Sequence, residues 1–120
     1  MSHRALRVGT VYRGPVGDAL VSTRRLVDGT VVVEIRGELD SATADQLRDV
    51  LVDTVSRLRP VRVQADLLHV TFMDSMGIGA LAAGRNSAHA VGVPFEVVNP
   101  GPFVASQLRM LGLLDAFGLA

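Results

Sequence analysis

In the stretch Val70–Gly79 an acid and a hydroxyl, Asp74 and Ser75, stand side by side just before an apolar run interrupted by Gly77 and Gly79. A serine at such a place can cap a helix, act as a nucleophile or carry a phosphate. Capping is the commonest role, because Ser and Asp side chains both accept hydrogen bonds from the free N–H groups of a first helical turn. The nucleophile reading fails: Asp-Ser-Met-Gly is not a glycine-flanked nucleophile elbow, and no motif positions a histidine. A phosphate is chemically suited to the position, since the N-terminal end of a helix presents free N–H groups and a positive dipole to an anion. Gly77 and Gly79 fall where alanine would favour the helix by about 1 kcal/mol each. That pattern suggests a need for close access to the backbone.

The composition removes several other chemistries. The chain has 120 residues, 48% of them hydrophobic and 20% charged, enough apolar material for one core and too little length for two. It contains 12 basic and 12 acidic residues, and every base is an arginine. Schiff-base and general-base lysine chemistry is therefore excluded, and no global field draws the chain to nucleic acid or an anionic membrane. Without cysteine there is no disulfide, thiol nucleophile or thiolate metal site, and the cytoplasm is the expected location. His3, His69 and His89 lack metal-ligand spacing, so no metal is expected. The glycine-rich run Gly77 to Gly84 lacks the Lys-Ser/Thr ending of a nucleotide loop. Asp45, Asp49 and Asp53 read as a solvated stripe on a helix, and Met73 and Met76 as core and rim packing. Met76 to Gly84, the longest apolar or small stretch, is far short of the roughly 20 residues that span a bilayer.

The elements that must hold Asp74 and Ser75 follow from periodicity. Ala19 to Leu26 and Thr30 to Arg36 alternate as strands around Asp28-Gly29, a tight-hairpin signal. Val31, Val33 and Ile35 share a dry face. Leu47, Val50, Leu51, Val55 and Leu58 then repeat at helical spacing, with Thr43 and Gln46 placed as a capping box and Pro60 as the stop. Val61 to Ala65 predicts a short strand, Asp74-Ser75 the start of a second helix reaching Ala90, and Phe95 to Val98 a further strand. Val104, Leu108 and Leu111 place a third helix after Pro102, closed by Gly112. Met1 to Gly17 reads as a flexible arm and residues 18–120 as the domain. The order β-β-α-β-α-β-α predicts an α/β domain whose mixed sheet carries its helices mainly on one face.

Gly37-Glu38-Leu39-Asp40, Thr43 opening a helix, Phe72-Met73-Asp74-Ser75-x-Gly77-x-Gly79 and the late Leu111-Gly112-Leu113 together resemble the bacterial anti-sigma factor antagonists, members of the STAS domain family. The resemblance runs from about Ala19 to Phe117. It implies a partner-switching regulator, not an enzyme. In that family the unphosphorylated antagonist captures an anti-sigma factor, itself a Ser/Thr kinase, and so frees a sigma factor. Phosphorylation of the serine after the motif aspartate breaks the capture, and a phosphatase restores it. By position the phosphoacceptor is Ser75, and the partner surface takes in Asp40, Asp74, Ser75, Met76, Gly77 and Gly79. Mg-ATP belongs to the kinase, so no cofactor is expected on this chain, nor direct contact with nucleic acid or membrane; a homodimer is left open. Two other readings stay open: an unphosphorylated STAS scaffold, such as an accessory subunit of a transporter or stress-sensing assembly, in which Ser75 is only a helix cap, and a small-ligand sensor. The sequence departs from the family pattern at Met76, where many members have Ser or Thr. It also ends soon after Phe117, which implies an uncovered apolar surface.

Overall fold

A computed structural model of the protein describes residues 20–119; the arm placed at residues 1–17 and the domain boundary at residue 18 lie outside them. Strands β1 (Leu20–Arg25) and β2 (Thr30–Leu39) form the antiparallel hairpin around Asp28-Gly29. Its turn is wider than the two-residue form suggested by that dipeptide. The Leu26 N–H donates to the Thr30 carbonyl, the Gly29 N–H donates to the Leu26 carbonyl, and Gly29 has φ +92°. This is a three-residue loop, with glycine supplying the left-handed position. An Asp28 carboxylate oxygen accepts from the Thr30 N–H at 2.9 Å and holds the loop from outside.

The sheet order is β1-β2-β3-β4, with β3 (Arg62–Met73) and β4 (Phe95–Val98) parallel to β2 and to each other. Val31, Val33 and Ile35 stand in register with Val63, Ala65 and the Leu67 region on one face, and all six are buried. The opposite face is mostly polar and partly exposed, with Arg24, Glu34, Gln64, Asp66 and Glu96 around the buried Val32. The strand expected over Val61–Ala65 continues to Met73, and β2 continues to Leu39. Two register shifts, between Glu34 and Arg36 and between Gly37 and Glu38, allow the pair to stay joined. Because a bulge resets the alternation of side chains, β3 buries Val70 out of phase with Val63 and Ala65 after the first shift, and the second shift brings Met73 back into phase. The period-2 signal therefore faded before the strand did.

Helix α1 (Ala44–Asp53) passes into a π-helical turn, Thr54–Leu58, that ends at Arg59 in a left-handed conformation, φ 46°, just before Pro60. Helix α2 (Ser75–Ala90) lies against α1, and Gly84 sets how closely they approach: a β-carbon there would sit 2.7 Å from Leu51 Cδ1 and 2.8 Å from its Cβ. Helix α3 (Pro102–Met110) closes as expected at Gly112, φ +73°. The Leu113 N–H donates to the Leu108 carbonyl and the Gly112 N–H to that of Arg109, the two bonds of a Schellman motif. Leu111, expected on the buried stripe with Val104 and Leu108, is exposed instead.

Two further expectations are corrected. The capping box does not form, because the Thr43 hydroxyl is used elsewhere, and both polar atoms of Gln46 are buried without a hydrogen-bond partner. The apolar surface expected beyond Phe117 is filled. Phe117 is buried with its ring 6.2 Å from that of Phe95, and its carbonyl accepts from the Val97 N–H at 2.9 Å, occupying the outer edge of β4.

Candidate functional site

Asp40 and Asp74 are brought together by the parallel pairing of β2 with β3. Leu39 and Met73 are register partners, and each aspartate is the next residue of its chain. The Asp74 N–H donates to the Leu39 carbonyl at 3.0 Å, tying the two exits to each other. Neighbouring strands run about 4.8 Å apart, so two acidic residues leave the sheet side by side.

The exit of β2 is set by Gly37 and Thr43. Gly37 has φ +89° at the second register shift, a conformation L side chains rarely adopt. The buried Thr43 hydroxyl donates to the Glu38 carbonyl at 2.9 Å and accepts from the Asp40 N–H at 3.0 Å. One Asp40 carboxylate oxygen accepts from the Ala42 N–H at 3.0 Å. Thr43 thus spends its hydroxyl on the corner that carries Asp40, which explains why it does not cap its own helix.

At the exit of β3 the division of labour between Asp74 and Ser75 is explicit. Asp74 is the N-cap of α2: its Oδ1 accepts from the Met76 N–H at 2.9 Å and from the Gly77 N–H at 3.1 Å. Ser75 is the first helical residue, exposed, and its Oγ has no hydrogen bond to any described residue. Nor do Asp40 and Asp74 pair with a cation among the described residues; the ion pairs there are Arg48–Asp45, Arg57–Asp53 and Arg62–Glu96. A hydroxyl that is solvent-facing, unbonded and seated at a positive helix end can accept an incoming group without breaking anything in the fold.

The two glycines that looked alike in sequence differ in space. Gly77 is buried and turned inward: a β-carbon would lie 2.7 Å from Leu39 Cβ, 2.8 Å from the Leu39 carbonyl oxygen and 3.0 Å from Met73 Cγ. The close approach it permits is that of α2 to the end of β2. Gly79 is exposed, and a β-carbon there would meet nothing within 4 Å. Met76, with 52% of its surface exposed, stands on the same turn as Ser75, whereas Met73 is fully buried.

Phe103 and Gln107 carried no sequence signal, and Phe72 entered only as part of the motif before Ser75. Phe72 and Phe103 stack with ring centroids 6.5 Å apart and an interplanar angle of 20°, and both are exposed. Gln107 donates from Nε2 to the Met73 carbonyl at 2.8 Å, fastening α3 to the end of β3 beyond the reach of β4. Only the coincidence of Phe103, Gln107 and Met110 on one helical stripe, beside that of Val104 and Leu108, could have pointed to Phe103 and Gln107. Among the described residues no three His, Cys, Asp or Glu side chains are grouped to hold a metal ion, and no helix is long and apolar enough to cross a membrane.

Residues 23–120 match the STAS domain family. The chain belongs to that family. Within it, the chain is 31% identical over 104 residues to the anti-sigma-F factor antagonist RsfB of Mycobacterium tuberculosis, covering 85% of this chain and 82% of the relative. A crystal structure of an anti-sigma factor antagonist from Mycobacterium paratuberculosis superimposes with a TM-score of 0.70 at 27% identity, over 88% of this chain and 87% of that one. SpoIIAA, a Bacillus cell-fate determinant, is similar in its unphosphorylated form, with a TM-score of 0.69 at 25% identity over 78% and 81% of the two chains. Its phosphorylated form, at 23% identity, TM-score 0.65 and coverage of 79% and 86%, has the same fold. This STAS domain therefore stands among the anti-sigma factor antagonists, and its Asp40 and Asp74–Gly79 segments lie at the ends of the two central parallel strands.

Proposed function

We propose that this STAS domain binds an anti-sigma factor kinase through the end of the sheet carrying Asp40 and the first turn of α2, and that phosphorylation of Ser75 releases it. The observation that carries the reading is the exposed Ser75 Oγ, unbonded among the described residues, beside an aspartate that already performs the capping. If Ser75 were only a cap, its hydroxyl would be bonded to the first turn; Asp74 holds that place. The existence of SpoIIAA in unphosphorylated and phosphorylated forms supports a switch of this type.

In the proposed step the Ser75 hydroxyl oxygen forms a bond to the γ-phosphorus of ATP, the bond to the β-phosphate oxygen breaks, and ADP leaves. The hydroxyl proton passes to a base of the kinase, which also holds Mg-ATP. This chain contributes the acceptor, an exposed position and a helix end tolerant of negative charge. The phosphate adds about −1.5 to −2 charge beside two carboxylates and disfavours a partner that had closed on a neutral hydroxyl.

The test is to incubate the full chain with Mg-ATP and each anti-sigma factor kinase of the same organism, and to locate added phosphate by mass spectrometry. Phosphate on Ser75, absent in Ser75→Ala, is the expected result, together with kinase binding by Ser75→Ala and its loss in Ser75→Asp. Absence of transfer to Ser75 from every kinase, each active on a control substrate, would refute the switch and leave the scaffold reading.

A further inference from the structure

Helix α3 is apolar on two sides. Val104 and Leu108 are buried, while Phe103, Met110 and Leu111 are 57%, 82% and 59% exposed. Phe103, Gln107 and Met110 follow one another at i, i+4 and i+7 and so share a stripe. That stripe is fixed to the site at two points: Phe103 stacks on Phe72, and Gln107 holds the carbonyl of Met73, two residues before Ser75. Large exposed aromatic and methionine side chains are what protein interfaces concentrate at their centres. A scattered apolar residue needs no explanation, but a stacked pair with a methionine on the same stripe forms a patch.

We infer that the Phe72–Phe103 pair, with Met110 beyond it, is the apolar anchor of the kinase contact, and that Ser75 is the charge-sensitive rim of the same interface. The inference rests on the reading of Ser75 proposed above. Its occupant follows from size and continuity. A stable interface covers about 800 Å² on each partner, a disc of roughly 16 Å radius. Three residues of extended chain span at most about 11 Å, so Phe72 lies inside any such footprint centred on Ser75, and Phe103 is in contact with Phe72. A protein of that footprint closing on the Ser75 hydroxyl is therefore within reach of the exposed aromatic pair. The occupant is an apolar surface of the kinase flanking its active site. Affinity and switching then reside in different atoms: the rings supply desolvation energy that phosphorylation leaves untouched, and the phosphate adds a penalty independent of the rings.

The experiment measures the dissociation constant of the full chain for the kinase that phosphorylates it, in a cycle of wild type, Phe103→Gln, Ser75→Asp and the double variant. Val61→Gln, an exposed apolar position just before the opposite end of β3, serves as the control, and circular dichroism confirms folding of each. Phe103→Gln is expected to weaken binding at least tenfold, Val61→Gln less than twofold, and Ser75→Asp by the same factor whether or not Phe103 is present. Phe103→Gln binding like wild type would overturn the anchor while leaving the Ser75 switch intact, provided Ser75→Asp still loses binding. Failure of wild type to bind any kinase would overturn the parent reading and this one with it. Sedimentation of the chain alone covers the remaining occupant: a wild-type dimer that Phe103→Gln dissociates would assign the patch to a second copy and overturn the inference.

Discussion

Two glycine-to-alanine substitutions two residues apart on one helix are expected to change stability in opposite directions. At Gly79 a β-carbon would meet nothing within 4 Å, and the residue lies inside α2 with an ordinary helical backbone. Alanine there gains helix propensity and narrows the unfolded ensemble, a stabilisation of about 0.4–1 kcal/mol. For a domain of this size that raises the melting temperature by roughly 2–8 °C. At Gly77 the same gain is opposed by a β-carbon 2.7 Å from Leu39 Cβ and 2.8 Å from the Leu39 carbonyl oxygen. The second of these is backbone, held by the Asp74 N–H, so it cannot swing aside as a side chain would. Overpacking of this kind costs about 1–3 kcal/mol, leaving a net loss of up to about 2 kcal/mol after the propensity gain. Thermal unfolding of both variants followed by circular dichroism is the assay. A lowered melting temperature for Gly79→Ala, or a raised one for Gly77→Ala, would refute the packing argument. Kinase binding adds a second readout, since a partner that uses the open space at Gly79 will bind Gly79→Ala more weakly although the domain has become more stable.

Asp74→Ala removes the acceptor for two first-turn N–H groups and is expected to cost about 1 kcal/mol, whereas Ser75→Ala, which removes no hydrogen bond, should leave the melting temperature unchanged. Equal losses in the two would refute the assignment of the cap. Thr43→Val leaves the Glu38 carbonyl and the Asp40 N–H unpaired around a buried site and should destabilise by about 1–3 kcal/mol, read by urea unfolding; a smaller effect than that of Ser75→Ala would count against the corner described above. The backbone N–H of Thr30, then its hydroxyl, holds the exposed Asp28 carboxyl below its ordinary value. A depressed carboxyl stabilises the fold above its unfolded pKa and loses that contribution as pH falls through the folded value. Asp28→Asn should therefore lower stability slightly at neutral pH and converge on the parent in acid below about pH 4, flattening the acid limb of the profile, and an unchanged acid limb would refute it.

The sequence carried the order of elements because each has a clean period over most of its length, and Gly112 and Asp28-Gly29 mark ends by backbone needs that few other residues meet. It lost what depended on competition between partners. Thr43 and Gln46 have the right spacing for a capping box, but spacing does not reveal that the Glu38 carbonyl and the Asp40 N–H, brought round by Gly37, take the hydroxyl first. Asp74 and Ser75 are equally good cap residues on paper, and only the geometry assigns the cap to one and leaves the other free. Gly77 and Gly79 share a motif and a helix, yet one is a packing residue and the other an open surface. The extension of β3 past Ala65 was hidden by bulges that reset the side-chain alternation. Phe103 drew no notice because a lone aromatic after Pro102 has no period of its own; its meaning comes from Phe72, thirty-one residues away and 6.5 Å distant.

A charge switch of the proposed kind places two opposing demands on Ser75. The free domain must tolerate the phosphate, and the bound complex must not. Two unit charges 4 Å apart repel by about 1 kcal/mol in bulk water and by about 4 kcal/mol at the effective dielectric of a partly desolvated protein surface. On the free domain the phosphate is exposed, and the positive end of α2 returns about 0.3–1 kcal/mol, so neighbouring Asp40 and Asp74 cost the fold little. Under a partner that excludes water the same two carboxylates become several-fold more expensive neighbours. The aspartates that hold the corner and the cap in the unphosphorylated domain are thus the groups that would make the phosphorylated interface fail. Replacing Asp40 by asparagine keeps the side-chain oxygen that accepts from the Ala42 N–H while removing the charge. The expected result is a kinase complex of near-normal affinity that Ser75→Asp weakens less than it does in the parent. If the Ser75→Asp effect is the same with and without the Asp40 charge, like-charge repulsion from that residue is not part of the switch, and steric exclusion by the phosphate has to account for it alone.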